Sequence, residues 1–195
     1  MSGGQSLRYE ALVPWLQGCG LNVYTQFGED GLIASVFKKI GETNRQCFEI
    51  GAADGLFFSN TLRLRELGWE SLQMEADPLL FEKLQSNYGE QCWCLFGRFT
   101  DLHPPLKYAG FDDCPDLGVI DIDGQDFYLW EDLTLYRPRV MLVEISTRHP
   151  EEPPPLRGGE GQAGLSAIKS LGESKGYQLV ATTHCNALFV DAKEL

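Results

Sequence analysis

Basic residues are scarce in this 195-residue chain: 16 Lys and Arg stand against 28 Asp and Glu, a net charge of −12. That balance excludes generic binding to nucleic-acid backbone or to an anionic membrane, because both need a basic surface. A cationic ligand is compatible with it. Long hydrophobic runs are missing, and none approaches the ~20 apolar residues a membrane-spanning helix needs. The opening MSGGQSLRYEALV lacks the basic end and apolar centre of a signal peptide. The six cysteines (19, 47, 92, 94, 114, 185) contain no CxxC pair and no Cys/His cluster with zinc spacing. Cys92 and Cys94, two apart in an expected strand, read as buried free thiols, and a reducing cytoplasm is the expected compartment. GxxxxGK[ST] does not occur, which removes one common phosphate-binding loop, and no GxGxxG follows the first long strand, where a dinucleotide loop would carry it.

What is present describes a globular α/β domain. Hydrophobic residues make up 43% and charged residues 23%, enough for a packed core, and the length suits one domain over residues 1–195. Residues 1–28 read as a lead-in with a short helix near Arg8–Leu16. Leu32, Ile33, Val36, Phe37 and Ile40 have helical spacing, and Gly41 suits the cap. The apolar run 47–50 then breaks into Gly51-Ala52-Ala53-Asp54-Gly55, a buried strand entering a tight loop. Ser59 suits the cap of a helix over Asn60–Leu67. Trp69–Glu75 reads as a strand, and Asp77-Pro78 is a strong helix start. Further strands are expected at Gln91–Phe96, Leu117–Ile122 and Val140–Ile145, with helices at Phe127–Leu133 and Leu165–Lys175. Residues 97–116 read as loop, and so does the Pro/Gly-rich stretch 148–164, whose composition cannot pack a core. Gln178–Ala181 and Ala187–Val190 suit a closing hairpin. The alternation predicts a Rossmann-like, doubly wound sheet of about seven strands, mostly parallel with one antiparallel hairpin strand.

The sharpest chemical signal is Glu49-Ile-Gly51-Ala-Ala53-Asp-Gly55 after the first long strand. Glycines admit close backbone approach to a ligand, and ligands of open α/β sheets sit beyond the carboxyl ends of the strands. The GxxxG spacing with Asp54 inside disfavours a pyrophosphate, and with it a nicotinamide-dependent oxidoreductase. Glu75, 20 residues after Gly55 at the end of the next strand, is placed to accept hydrogen bonds from ribose hydroxyls. Loop and acid together point to an adenosine-containing ligand.

The blocks YTQFGEDG (24–31), FEIGAADGLFFSNT (48–61), LGWESLQMEADP (67–78), IDIDGQDFYLWEDL (120–133), YRPRVMLVE (136–144) and CNALFV (185–190) run in order through nearly the whole chain. In this the chain resembles the FkbM-type methyltransferases. The resemblance implies a class I enzyme using S-adenosylmethionine (SAM), typically methylating a hydroxyl of a sugar or small molecule. It also implies that Glu49, Gly51, Ala53 and Gly55 line the methionine end and Glu75 the ribose. Adenine contacts are expected near Phe96-Gly97-Arg98, where the acidic residue carried by many methyltransferases is missing.

Asp121-Ile-Asp123-Gly124-Gln-Asp126 closes the fourth major strand. Strand residues two apart share a face, so Asp121 and Asp123 are expected to point to one place, where they could orient a hydroxyl, take its proton or hold Mg²⁺. Asp121 is assigned to both cofactor and acceptor, and Asp123 to catalysis. A metal is not favoured, since the pair supplies two of the six or so ligands a hard cation wants. Asp126 reads equally as a helix cap, and Glu144 is a further pocket candidate. His103, His149 and His184 are possible bases but read better as loop histidines; Asn186 matches the family or a turn. The expected partner is a small-molecule or glycan acceptor. A catalytically silent SAM-fold module and a metal-dependent O-methyltransferase are the rivals.

Overall fold

The computed structural model describes residues 9–88, 93–97 and 100–195. Among these, eight strands form one sheet: β1 (Tyr9–Ala11), β2 (Gln46–Ile50), β3 (Glu70–Glu75), β4 (Trp93–Phe96), β5 (Leu117–Ile120), β6 (Val140–Glu144), β7 (Tyr177–Thr183) and β8 (Asn186–Asp191). Six helices accompany them: α1 (Glu29–Ile40), α2 (Leu62–Glu66), α3 (Pro78–Tyr88), α4 (His103–Tyr108), α5 (Asp126–Asp132) and α6 (Leu165–Ser174). The strand order is β1-β7-β8-β6-β5-β2-β3-β4. Strands β2 to β6 pair in parallel, and β8 runs antiparallel between β6 and β7. The expected doubly wound sheet with a reversed hairpin strand is therefore present.

Alternation along the buried strands builds a core on each face. Phe48 and Met74 pack with Leu106, Trp130, Ile168 and Phe189 beneath α4, α5 and α6. Cys47, Val119 and Leu188 pack with Leu16, Leu32 and Val36 under α1 and the lead-in. A strand buried on both faces reads as an unbroken apolar run.

Four local expectations are corrected. The short helix expected near Arg8–Leu16 is confined to a 3-10 turn at Pro14–Leu16, and Tyr9–Ala11 instead pairs antiparallel with β7. Pairing with the otherwise open edge of β7 outweighs local helix preference there. Residues 97–116 hold α4, whose Pro104 and Pro105 occupy the first turn, where a missing N–H costs no hydrogen bond. The strand expected over Leu117–Ile122 ends at Ile120 because Asp126 captures the N–H groups of Ile122 and Gly124, each at 2.9 Å. Ser59 does not cap a helix over 60–67, since α2 begins at Leu62 after Thr61, and Ser59 instead holds the turn before it. Two caps act as expected: Asp77 Oδ1 accepts Leu79 N–H at 2.8 Å, and Gly41 N–H closes α1 on Phe37 O at 2.8 Å. Arg8, Gly89, Gln91, Cys92 and Arg98 lie outside the described residues.

Candidate active site

The sheet order reverses between β2 and β5, and the loops leaving β2, β3, β5 and β6 meet at that switch point. A cleft of about 340 Å³ opens there. The loop after β2 contributes Gly51 and Ala53, the end of β3 contributes Glu75, and the turn after β5 contributes Asp121 and Asp123. Leu80 and Ile122 supply apolar wall.

Glu75 organises this cleft. Its Oε2 accepts Ala53 N–H at 2.7 Å, and its Oε1 accepts the N–H groups of Ala76 and Asp77, both at 2.7 Å. Three amides thus fix the carboxylate and leave Oε2 with acceptor capacity. Ala53 sits in the left-handed region at φ 50°, strain that its bond to Glu75 helps to hold. Gly51 is required by a neighbour in the protein: at φ +82° a Cβ would come 1.7 Å from Asp121 O. A Cβ on Gly55 would meet the Tyr88 ring at 2.1 Å, so this glycine serves the packing of the loop on α3.

Glu49 and Asp54 stand behind the cleft, outside its lining. Glu49 is buried and accepts from Ser59 Oγ at 2.8 Å, Thr61 Oγ1 at 2.6 Å and Asn60 N–H at 2.8 Å. It fastens the 59–61 segment; burial raises its pKa, and these hydrogen bonds oppose the rise. Asp54 Oδ1 accepts the N–H groups of Phe57 and Leu56, and those bonds lower its pKa.

A second cavity of about 250 Å³ shares Asp121 and Asp123 with the first. Glu144 from β6, Glu29 from α1, Asn60, and Asn186 from β8 line it. Asp121 and Asp123 do face one place, though by a different geometry from strand alternation: Asp123 lies in a turn at φ 57°, and its N–H bonds Glu144 Oε2 at 2.9 Å. Burial pushes the Asp121 carboxyl well above its ordinary range, and the charges of Glu144, Asp126, Glu49 and Asp123 act in the same direction. Burial likewise raises Glu144 to about 7, with Asp126 adding to it. Asp126 is raised to about 6 by burial against the pull of its two amide bonds. Its task is the turn itself.

Glu29 and Asp30 acquire places that their sequence surroundings did not disclose. Asp30 Oδ2 accepts the N–H groups of Val23, Tyr24 and Thr25 at 2.7 to 2.9 Å, folding the lead-in back over α1. Glu29 Oε2 accepts Phe27 N–H at 2.8 Å while the residue lines the second cavity. The histidines line neither cavity. His103 Nε2 accepts from Thr134 and Leu135 N–H, and His184 packs edge-on against Phe27. Phe96 is half exposed and packs at a tilt against Phe81, ring centres 5.3 Å apart, while Gly97 reaches the first cleft. Among the described residues, no group of three or more His, Cys, Asp or Glu is arranged to hold a metal ion.

No protein-family model matches the chain, and no curated protein sequence matches it. Solved structures do. Cofactor-bound Rv0187 from MTB superposes with a TM-score of 0.59 at 17% identity, covering 88% of this chain and 83% of that one. The O-methyltransferase from Bacillus cereus, in complex with SAH, gives 0.53 at 17% identity, covering 87% and 84%. Precorrin-6y C5,15-methyltransferase from Geobacter metallireducens GS-15 gives 0.54 at 13% identity, covering 88% and 92%. At these identities the likeness is one of fold: the chain has the α/β fold seen in Rv0187 and in these two methyltransferases.

Proposed function

We propose that this chain is a SAM-dependent methyltransferase that methylates a hydroxyl of a sugar or small-molecule acceptor, within the FkbM-type group that its sequence blocks resemble. One observation carries the reading: two cavities meet at Asp121 and Asp123, one part-apolar with Glu75 at its edge, the other walled by acids and amides.

The first cleft suits a nucleoside. Glu75 retains acceptor capacity for a ribose hydroxyl, Leu80 and Ile122 offer surface to a flat base, and the 51–53 loop passes close at the methionine end. SAM bound there would supply a sulfonium-activated methyl group. Asp121 and Asp123 stand on the boundary, where an acceptor hydroxyl entering from the second cavity would be held. Such positioning contributes as much as ~7–11 kcal/mol to a two-substrate reaction. Burial strengthens the Asp121 carboxylate as a base for the hydroxyl proton by raising its pKa, and Glu144 beside it is raised to about 7. Carboxylates suffice for this chemistry without a metal. In this reading residues 1–195 act as one catalytic domain, in the cytoplasm, on a small-molecule or glycan acceptor.

Titration calorimetry with SAM, S-adenosylhomocysteine and NAD⁺ tests the cofactor, and methyl transfer from labelled SAM to an acceptor panel tests turnover. Binding of the two adenosyl compounds but not NAD⁺ is expected. Binding without transfer to any acceptor would point to a silent SAM-fold module, and preference for NAD⁺ would overturn the reading.

A further inference from the structure

The second cavity has a chemical bias that methyl transfer as such does not require. The carboxyl groups of Glu29, Asp121, Asp123 and Glu144 line it, and among the described residues no Lys, Arg or His does. Asn186 adds an independent sign. It is 3% exposed, and its Nδ2 is directed at Cys185 Sγ (3.2 Å) and Glu29 Oε1 (3.5 Å). That orientation fixes Oδ1 as the other arm of the amide, and Oδ1 is buried without a hydrogen-bond partner. A buried carbonyl oxygen left unpaired is costly and rare. Asn186, itself part of the wall, thus carries an orphan acceptor beside a cluster of acids that no basic residue of the lining pairs.

Resting on the methyltransferase reading, we propose that the acceptor is an amino alcohol of the amino-sugar type, its ammonium held by Glu29, Glu144 and Asn186 Oδ1 and its hydroxyl presented to Asp121. An ammonium has three donors and no acceptor, which matches this wall. A neutral polyol fills the hydrogen bonds but leaves the charge uncompensated, and an anionic acceptor is repelled. The charge also assists the chemistry: burial and four neighbouring carboxylates raise Asp121, and a cation among them favours its ionised, proton-accepting form. In the transfer the hydroxyl oxygen forms the new O–CH₃ bond as the S–CH₃ bond breaks. The electron pair of the broken bond stays on sulfur, leaving a neutral thioether, and the hydroxyl proton passes to the Asp121 carboxylate. The ammonium is unchanged.

The test is calorimetry at pH 7.5, with saturating S-adenosylhomocysteine, on matched pairs: glucosamine against N-acetylglucosamine, and 3-aminopropanol against 1,3-propanediol. The amine of each pair is expected to bind at least ~10-fold tighter, the scale of one charge-assisted hydrogen bond. Glu144→Gln and Asn186→Leu are each expected to cut that preference several-fold while leaving S-adenosylhomocysteine affinity within about 3-fold. Equal or tighter binding of the neutral members overturns the proposal, as does binding of neither member while the nucleoside binds. The wild-type comparison decides the question even where a variant fails to fold. Failure of S-adenosylhomocysteine itself to bind defeats the methyltransferase reading instead. Repeating the pairs without it then shows whether an amine site stands alone.

Discussion

The N–H of Asp123 meets Glu144 Oε2 at 2.9 Å, so the turn after β5 is fastened to the end of β6 by a carboxyl group that also lines the second cavity. Protonation of Glu144 weakens that bond and removes a charge beside Asp121, linking the state of the cavity to the shape of the turn. With Glu144 raised to about 7, turnover is expected to climb with pH through that value as the carboxyls ionise. Replacing Asp121 by Asn should lower kcat by roughly 10²-fold, the lower end for loss of a proton acceptor, with little change in SAM affinity. In Glu144→Gln one of the charges raising Asp121 is gone, so the ascending limb should move to lower pH. A profile of kcat against pH with an unmoved limb would show that the two carboxyls do not act together.

The same acids set the pH dependence of stability. Asp121, Asp126 and Glu144 are raised in the folded protein, to about 6 for Asp126 and about 7 for Glu144, so the native state binds more protons than the unfolded chain above their ordinary range. Their favourable contribution is complete at acid pH, below the unfolded values; for Asp126 and Glu144 it is lost as pH rises through about 6 to 7. The net charge of −12 acts in the same sense. The melting temperature is expected to be higher at pH 5.5 than at pH 8, and Glu144→Gln should flatten the slope between them. A slope of opposite sign in calorimetric scans would show that other groups dominate.

Glu75 is predicted to matter twice. Glu75→Gln keeps the shape but loses the charge; SAM affinity should fall by about 10-fold or more, in line with ~1.5–3 kcal/mol for a hydrogen bond to a charged group. Glu75→Ala additionally strands the amides of Ala53, Ala76 and Asp77, so its melting temperature should fall as well. An unchanged SAM dissociation constant in Glu75→Gln would remove the ribose assignment.

Which parts of this arrangement were legible in the residues follows from what each part depends on. β2, β5 and β6 are largely apolar runs and β3 alternates Leu72 and Met74 with polar residues, each closed by turn residues, and α3 carries its own start signal in Asp77-Pro78, so neighbours in sequence suffice to find them. β1 is three residues long and exists through its pairing with Thr183 to Ala181, far along the chain. α4 hides behind two prolines that break a helix anywhere except in its first turn. Asp121 and Asp123 were expected to converge through strand alternation; they line the same two cavities through the left-handed turn at Asp123. Glu29 and Asn186 meet across 157 residues, and no local pattern reveals such a pair. The glycines at 51 and 55 looked like ligand-facing positions; the atoms that forbid a side chain there belong to Asp121 and Tyr88.

At the opposite end of the sheet, Arg139 and Asp116 hold the amino ends of β5 and β6. Arg139 Nη1 donates to Asp116 Oδ1 at 2.7 Å, and Asp116 Oδ2 accepts the N–H groups of Thr43, Asn44 and Arg45. Asp116 is fully buried. Arg139→Met should therefore destabilise the fold by about 3–5 kcal/mol, because it leaves a buried carboxylate without its counter-charge. Urea titration measures this. SAM binding should persist in the folded variant, since neither residue lines either cavity.

The segment 148–164 supplies the last prediction. It leaves β6 at the carboxyl edge of the sheet and returns as α6, with Ser146 and Gly164 bridged at its base and Ala163 buried in the core. Its tip is tied mainly to α5 and the turn before it. Gln125 Nε2 donates to Gly159 O at 2.8 Å and Gln125 Oε1 accepts Gly158 N–H at 2.7 Å, while Tyr128 Oη donates to Pro155 O at 2.7 Å. Arg157 pairs with Glu131 and Asp132 and lies over the Tyr128 ring. These ties are largely solvent-exposed, and exposed ion pairs contribute little, about 0–1 kcal/mol each. The tip is thus weakly held beside a well-fixed base, an arrangement suited to opening and closing over the acceptor. The base also reaches the site: Gln162 lies against Glu144 and opposes the rise in its pKa. Replacing residues 152–161 with a short Gly/Ser bridge should raise the acceptor KM by roughly 10-fold or more while SAM affinity stays within about 3-fold, as expected for a lid on the acceptor side. Unchanged acceptor kinetics would show that the segment is only a surface connection, and lost SAM binding would assign it to the cofactor cleft.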